Sequence, residues 1–230
     1  MISIIIPVYN EAKVLETNIN KICSRISKKK LALEIIVVDG ESTDETAKIA
    51  SELKSVQLIS APKSRPRQMN FGAKQAKYNI LYFLHIDSFP PKNFDILILN
   101  AIENGHEAGC FKMKFRSQHP WLKFISWLTK FEARSCRGGD QSLFISKSLF
   151  ENIGGYDEKY LIYEDHEILD PIYKKSDFKV IQQWISTSAR RFQNKGILKL
   201  QLLFWMIYFK KWSGATPEEL YDFYLKKIDN

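Results

Sequence analysis

Cysteine is scarce in this 230-residue chain: Cys23, Cys110 and Cys136 stand far apart and form no CxxC pair. That removes a disulfide framework and a thiolate zinc site, and it fits a reducing compartment. Long apolar runs are missing too. The longest charge-free one, Leu200 to Phe209, falls well short of the ~20 residues a spanning helix needs. No basic leader precedes Met1-Ile2-Ser3-Ile4, and Pro7 interrupts the first apolar run too early for a signal-peptide core. The expectation is a cytoplasmic protein. No GxGxxG follows the first apolar run, which disfavours a dinucleotide-binding dehydrogenase. Repeats, low-complexity tracts and a visible linker are absent, so one domain is expected over 1–230, with a core at 1–192 and a helical extension at 193–230. Acidic residues are the minority, 26 against 34 Lys and Arg, for a net charge of +8. The excess favours an anionic partner. The basic residues are nevertheless scattered and no nucleic-acid reading module is present.

What the chain does contain is a series of short β-branched or aromatic runs separated by helical periodicity. Ser3 to Ile6 and Glu34 to Val38 are continuous apolar strands, with Ala12, Leu15, Ile19, Ile22 and Ile26 recurring at helical spacing between them. This is a βαβ unit, which implies a parallel sheet in an α/β fold. Thr43 to Leu53 reads as a second helix, with Ser42-Thr43-Asp44-Glu45 as its N-cap and acidic first turn. A strand at Val56–Ile59, a helix from Arg65 through Ala76 and a buried strand from Leu81 continue the alternation. Further on, a helix is expected over Pro91–Glu103, a strand over Ala108–Phe115, an aromatic helix over Trp121–Phe131 and a strand at Leu143–Ile145. Glu164 to Lys175 reads as helical with Pro171 as a kink or stop, and Lys179 to Gln182 as an edge strand.

Three of the strands end in polar clusters. The first runs into Pro7-Val8-Tyr9-Asn10-Glu11, the second into Asp39-Gly40-Glu41-Ser42-Thr43-Asp44, and Leu81-Tyr82-Phe83-Leu84 into His85-Ile86-Asp87-Ser88. Ligands of open α/β sheets bind beyond the carboxyl ends of strands. Carboxylates at Glu11 and Asp39 suit a nucleotide's base N–H or ribose hydroxyls, and Tyr9 offers a ring for packing. Asp87 suits a divalent cation set against a phosphate. Turn and cap chemistry accounts for each cluster taken singly.

In combination, IIIPVYNE, IIVVDGESTDET and the strand ending in HID resemble the family-2 glycosyltransferases of the GT-A fold. The resemblance continues through Gly138-Gly139-Asp140-Gln141, Ile153-Gly154-Gly155-Tyr156-Asp157-Glu158 and Glu164-Asp165, covering about residues 2 to 192. It implies a mainly parallel mixed sheet flanked by helices and a nucleotide-diphosphate-sugar donor, with a UDP-sugar favoured. It also implies a hydroxyl acceptor and inversion at the anomeric carbon. Pro7, Tyr9, Glu11 and Asp39 would hold the donor nucleotide, with Arg67 and Arg191 at the diphosphate and Asp140 at the sugar or acceptor. Asp87, with His85 standing where the usual motif has its first carboxylate, would bind Mn²⁺ or Mg²⁺, and Asp165 beside Glu164 would be the catalytic base. A narrower likeness joins Arg67-Gln68-Met69-Asn70-Phe71-Gly72-Ala73, Leu84 to Asp87, Ser188 to Arg191 and Thr216 to Leu220 to the bacterial radical-SAM/selenodomain-associated transferase 2 proteins.

Beyond Lys195 the chain turns basic and aromatic. Leu198, Leu202, Leu203, Trp205, Met206 and Phe209, with Lys199, Lys210 and Lys211 among them, read as an amphipathic helix; Thr216-Pro217-Glu218-Glu219 starts a last one. Such a helix fits an interfacial element at the inner face of a membrane, with a lipid-linked or apolar acceptor. Core packing and a homo-oligomer interface fit the same pattern. Two other functions remain open: a catalytically idle nucleotide-sugar-binding scaffold, and a nucleotidyltransferase, whose Gly-rich basic loop after the first strand is lacking here.

Overall fold

The computed structural model describes residues 1–29, 31–138 and 141–229. Its centre is a sheet of seven strands: β1 (Ile2–Val8), β2 (Leu33–Asp39), β3 (Gln57–Ser60), β4 (Ile80–Phe83), β5 (Ala108–Phe115), β6 (Leu143–Ser146) and β7 (Phe178–Thr187), in the order β3-β2-β1-β4-β6-β5-β7. The first four strands are parallel, β6 runs antiparallel to both neighbours, and β7 pairs parallel with β5. This is the mainly parallel mixed sheet that the strand-helix alternation implies.

The apolar continuity of the strands has its cause in the layers on both faces. Ile4, Ile6, Val37, Tyr82 and Phe111 face one core, beneath α1 (Leu15–Cys23) and α4 (Phe94–Glu103). Ile5, Ile36, Val38, Leu81 and Phe83 face the other, where α3 (Arg65–Gln75), α6 (Lys147–Asn152) and α8 (Leu169–Lys175) pack. Gly72 brings α3 against β1: a Cβ there would meet Ile5 Cγ2 at 2.5 Å. The remaining helices are α2 (Thr46–Glu52), α5 (Pro120–Leu128), α7 (Glu164–Glu167), α9 (Arg190–Lys195), α10 (Ile197–Trp212) and α11 (Pro217–Tyr224). The C-terminal helices close a third core through Leu200, Ile207 and Leu220, packed with Leu122 of α5, Tyr160 and Phe192.

Several local expectations shift. β1 continues through Pro7 to Val8, because the β4 ladder ends at Ile5–Phe83 and Pro7 pairs with β2 alone. The cap of α2 is not made by Ser42 or Thr43. Ser42 turns back to Asp39, Asp44 accepts from the Thr46 N–H at 2.9 Å, and the helix starts at Thr46. The segment 164–175 breaks at Ile168, ahead of Pro171, since proline leaves the Glu167 carbonyl without its helical donor. β7 is an edge strand as expected but runs ten residues instead of four. Its alternation is obscured by a register shift against β5 at Phe111/Lys112. The final helix has the expected start, a full capping box at Thr216 and Glu219.

Candidate functional site

Beyond Phe83 and Ile5 the ladder between β1 and β4 is finished, and the chain order reverses across this pair. A crevice therefore opens at the carboxyl ends of β1, β2 and β4, where the three polar clusters meet.

The first two clusters are laced together. Asn10 N–H donates to Ser42 Oγ at 2.9 Å, Thr43 N–H to Asn10 Oδ1 at 2.8 Å, and Glu11 N–H to Thr46 Oγ1 at 2.8 Å. Asp39 is buried and accepts from Ser42 through both carboxylate oxygens, from N–H at 3.0 Å and from Oγ at 2.5 Å. Beneath the loops lies Gln68, also buried, whose Nε2 donates to Val8 O at 2.9 Å and Val38 O at 2.7 Å. It joins the ends of β1 and β2. Gly40 leaves room for it, since a Cβ there would stand 3.0 Å from the Gln68 amide. Tyr9 is half-buried, with Lys63 Nζ 3.8 Å above its ring.

The third cluster is a turn. Ser88 N–H donates to His85 O at 3.0 Å, and the segment is fastened to the end of β7. Phe89 and Ser186 exchange backbone hydrogen bonds of 2.8 and 3.0 Å, and Ser88 Oγ donates to Thr187 Oγ1 at 3.0 Å. That attachment brings the following Ser188-Ala189-Arg190 segment to the crevice. Burial raises the pKa of Glu11, and the negative charges of Asp87 and Asp44 add to this while Arg190 opposes it. Asp87 and Arg190 are thus each within electrostatic reach of Glu11. Arg191 has its guanidinium 5.1 Å from the Tyr224 ring and 5.9 Å from the Phe204 ring. Arg67 sits on the exposed side of α3, 3.5 Å from Glu158.

The Glu164-Asp165 pair opens α7 directly after Tyr163, which has φ of 71°. Asn10, Glu41 and Ser142 also have positive φ, so most non-glycine residues in this conformation among those described border the crevice. Such backbone strain persists where surroundings hold it, commonly at functional sites. Glu164 is buried, and Arg65 Nη1 reaches its Oε1 at 3.0 Å and Asp165 Oδ2 at 3.6 Å. Burial and the adjacent Asp165 charge push the Glu164 pKa up to about 7 against the pull of Arg65. Asp165 lines a pocket, part of it open to solvent, together with Pro7, His85, Met69 and Tyr156. The Gly154-Gly155-Tyr156 turn is clamped to α3: Asn70 Nδ2 donates to Tyr156 O and Tyr156 N–H to Asn70 Oδ1, both at 2.9 Å.

Of the residues singled out from sequence, Pro7, His85 and Asp165 line one pocket, and Glu11 and Asp87 interact beside Arg190. Tyr9, Asp39 and Glu164 belong to the same strand-end loops and α7, whereas Arg67 and Arg191 make the surface contacts just described. Asp140 lies outside the described residues. Sequence reasoning did not single out Arg65 or Gln68; both were read as the lead-in to a helix, since nothing local distinguishes a charge or amide that acts across 99 or 60 residues. Among the described residues no group of three His, Cys, Asp or Glu side chains is arranged to hold a metal by itself. His85 and Asp87 stand two residues apart on the turn closed by the Ser88 N–H to His85 O hydrogen bond, and are the residue types that would ligate a divalent cation alongside diphosphate oxygens.

No curated protein matches the sequence. Among solved structures, S. aureus TarS residues 1–349 superpose with a TM-score of 0.66 at 17% identity, over 83% of this chain and 61% of that one. The same protein in complex with UDP-GlcNAc gives 0.64 at 18% identity, over 81% and 58%. This chain therefore spans about three fifths of the length of those neighbours and shares their GT-A-like fold. The family model for glycosyl transferase family 2 matches residues 3–155, from the first strand through the second of the paired glycines. The chain belongs to glycosyl transferase family 2.

Proposed function

We propose that this protein transfers a sugar from a nucleotide-diphosphate donor to a hydroxyl acceptor with inversion. The observation that carries the reading is the shared pocket of Pro7, His85 and Asp165, beside strand-end loops where Asp87 and Arg190 act electrostatically on Glu11. The neighbours' complexes with UDP and UDP-GlcNAc support a nucleotide-sugar donor.

In this reading the nucleoside lies along the laced loops at Tyr9, Glu11 and Asp39, and the diphosphate lies between the His85–Asp87 turn and Arg190. Asp87 and His85 would hold a divalent cation, Mn²⁺ or Mg²⁺, whose charge stabilises the departing diphosphate. Asp165 takes the proton of the acceptor hydroxyl, whose oxygen attacks the anomeric carbon from the face opposite the nucleotide. The new C–O bond forms as the bond to the diphosphate breaks, and the nucleoside diphosphate leaves. Arg65 orients Asp165 through the ion pair it shares with Glu164. The aromatic C-terminal helix favours an acceptor that is lipid-linked or apolar.

The test is nucleoside diphosphate release from UDP-, GDP- and dTDP-sugars with Mn²⁺ or Mg²⁺ present. Turnover should occur with at least one donor and fall about 10²-fold or more in Asp165→Asn, while Asp87→Asn should lose metal-dependent turnover. A nucleotide that raises the melting temperature without any turnover would favour the idle binding protein instead. No shift with any nucleotide and metal would overturn both.

A further inference from the structure

We propose that the surface formed by α5 and α10 docks in the interface of an anionic lipid bilayer. α10 packs Leu200 and Ile207 into the third core, yet its opposite face carries Leu198, Leu202, Trp205, Met206, Phe209 and Trp212 exposed, Phe209 at 64% and Trp212 at 82%. A solvated face of a surface helix is ordinarily polar, and a helix apolar all round is ordinarily covered. α5 extends the same surface. Phe124 and Trp127 are exposed with Phe131 just beyond, in ring contact along the helix at 6.2 and 5.0 Å, and Trp121 meets Trp205 edge-on at 5.9 Å. Four of the chain's five tryptophans, Trp121, Trp127, Trp205 and Trp212, stand on these two helices. Tryptophan is the residue most suited to the headgroup level, apolar in body with one polar N–H.

Charge selects the occupant. Neither α5 nor α10 contains an acidic residue, while Lys123, Lys199 and Lys210 lie on them, Lys211 turning inward to Glu167, and Lys130 stands 4.3 Å over the Trp127 ring. A two-fold contact between copies would set the lysines of these two helices against one another, and lysine is depleted from protein interfaces. Anionic headgroups complement it, with the aromatic rings entering below. Sixteen residues of helix span about 24 Å, and among the described residues no helix is long and apolar enough to cross a membrane. The surface therefore lies on the bilayer.

Docking would also orient the pocket. The inward side of α10 holds α7, with Tyr208 Oη 2.6 Å from His166 Nε2 and Lys211 Nζ 3.2 Å from Glu167. Asp165 then sits one helix away from the headgroups, where a lipid-borne hydroxyl acceptor would present itself. This last step rests on the glycosyl-transfer reading, whereas the docking itself does not.

The experiment is sedimentation of the full chain with phosphatidylcholine vesicles, with and without phosphatidylglycerol, followed also by tryptophan emission. The protein should pellet with the anionic vesicles, shift its emission to the blue and release as salt rises. The Phe209→Glu/Trp212→Glu variant should partition more than about tenfold less, with its melting temperature and its donor hydrolysis in solution unchanged. Wild-type protein that stays in the supernatant with both vesicles would overturn the proposal. So would a double variant that binds as well as wild type, or a dimer in solution that the substitutions dissociate, which would make the occupant a second copy. Because binding is read without donor or acceptor, a protein that turns over no nucleotide sugar leaves the result intact.

Discussion

Arg65, on the first turn of α3, reaches the buried Glu164 at 3.0 Å and Asp165 at 3.6 Å, binding two carboxylates from across the fold with one guanidinium. Glu164 is 3% exposed, so its oxygens depend on this partner, while Asp165 keeps access to the pocket. The arrangement fixes a candidate base by holding its neighbour.

Removing that partner should be felt in the chemistry more than in donor affinity. Arg65→Ala is expected to lower kcat about tenfold to a hundredfold with little change in donor KM, because Asp165 loses orientation while the nucleotide loops stay intact. Steady-state kinetics on the variant check this, and Arg65→Lys should recover only part of the loss, since one ammonium cannot fork between two carboxylates. Arg65 is nearly half exposed but Glu164 is buried, so the Ala variant also leaves a buried carboxyl group unpaired, which should cost about 1–3 kcal/mol of stability.

Glu164 gives a pH signature. Its folded pKa is about 7, raised from 4.5 by burial, so the native state holds a proton that the unfolded chain releases first. This contribution to stability is fully present below about pH 4.5 and is lost as pH rises through about 7. Glu164→Gln should abolish the loss, so that the variant gains in stability relative to wild type as pH rises through 7. Denaturant titrations of both proteins across that range measure it.

His166 acts in the opposite direction. Burial, with Arg134 nearby, lowers its pKa from 6.5 to about 4. The unfolded chain therefore takes up the proton first, and stability is lost as pH falls from about 6.5 towards 4. Following the His166 ring resonance by NMR should show a neutral imidazole at pH 5.5.

Gln68→Ala leaves the Val8 and Val38 carbonyls without their side-chain donor. Val8 O keeps the Gly40 N–H at 2.9 Å, so the variant loses two side-chain hydrogen bonds, each worth about 1 kcal/mol. Because those carbonyls end the two strands that carry the laced loops, donor KM should rise as well. Thermal denaturation and donor titration read the two effects separately.

Gly155 has φ of 72°, and a Cβ there would meet Asn70 Oδ1 at 2.8 Å. Gly155→Ala should therefore destabilise by about 1–3 kcal/mol through backbone strain and displacement of the Asn70 clamp. A drop in the midpoint of denaturation checks this.

The layered α/β architecture was legible in the chain because strands buried on both faces must be apolar throughout, and the helices between them must repeat every 3.6 residues. Each strand-end cluster was legible too, as a polar stop on a buried run. The break at Ile168 and the length of β7 were less so, since a proline acts four residues back and a bulge scrambles alternation. Short motifs such as Glu164-Asp165 announce themselves locally. What they meet is settled by packing: Arg65 on Glu164, Gln68 beneath two strand ends, and Arg190 within reach of Glu11. The sequence determined which residues must be buried and which must end a strand, because burial and turn chemistry are local demands. Only the tertiary structure decided which distant charges share a pocket, because Coulomb and hydrogen-bond contacts depend on distance in space. The same holds for α10, whose apolar residues were plain in sequence but whose exposed face appears only once the opposite one is packed.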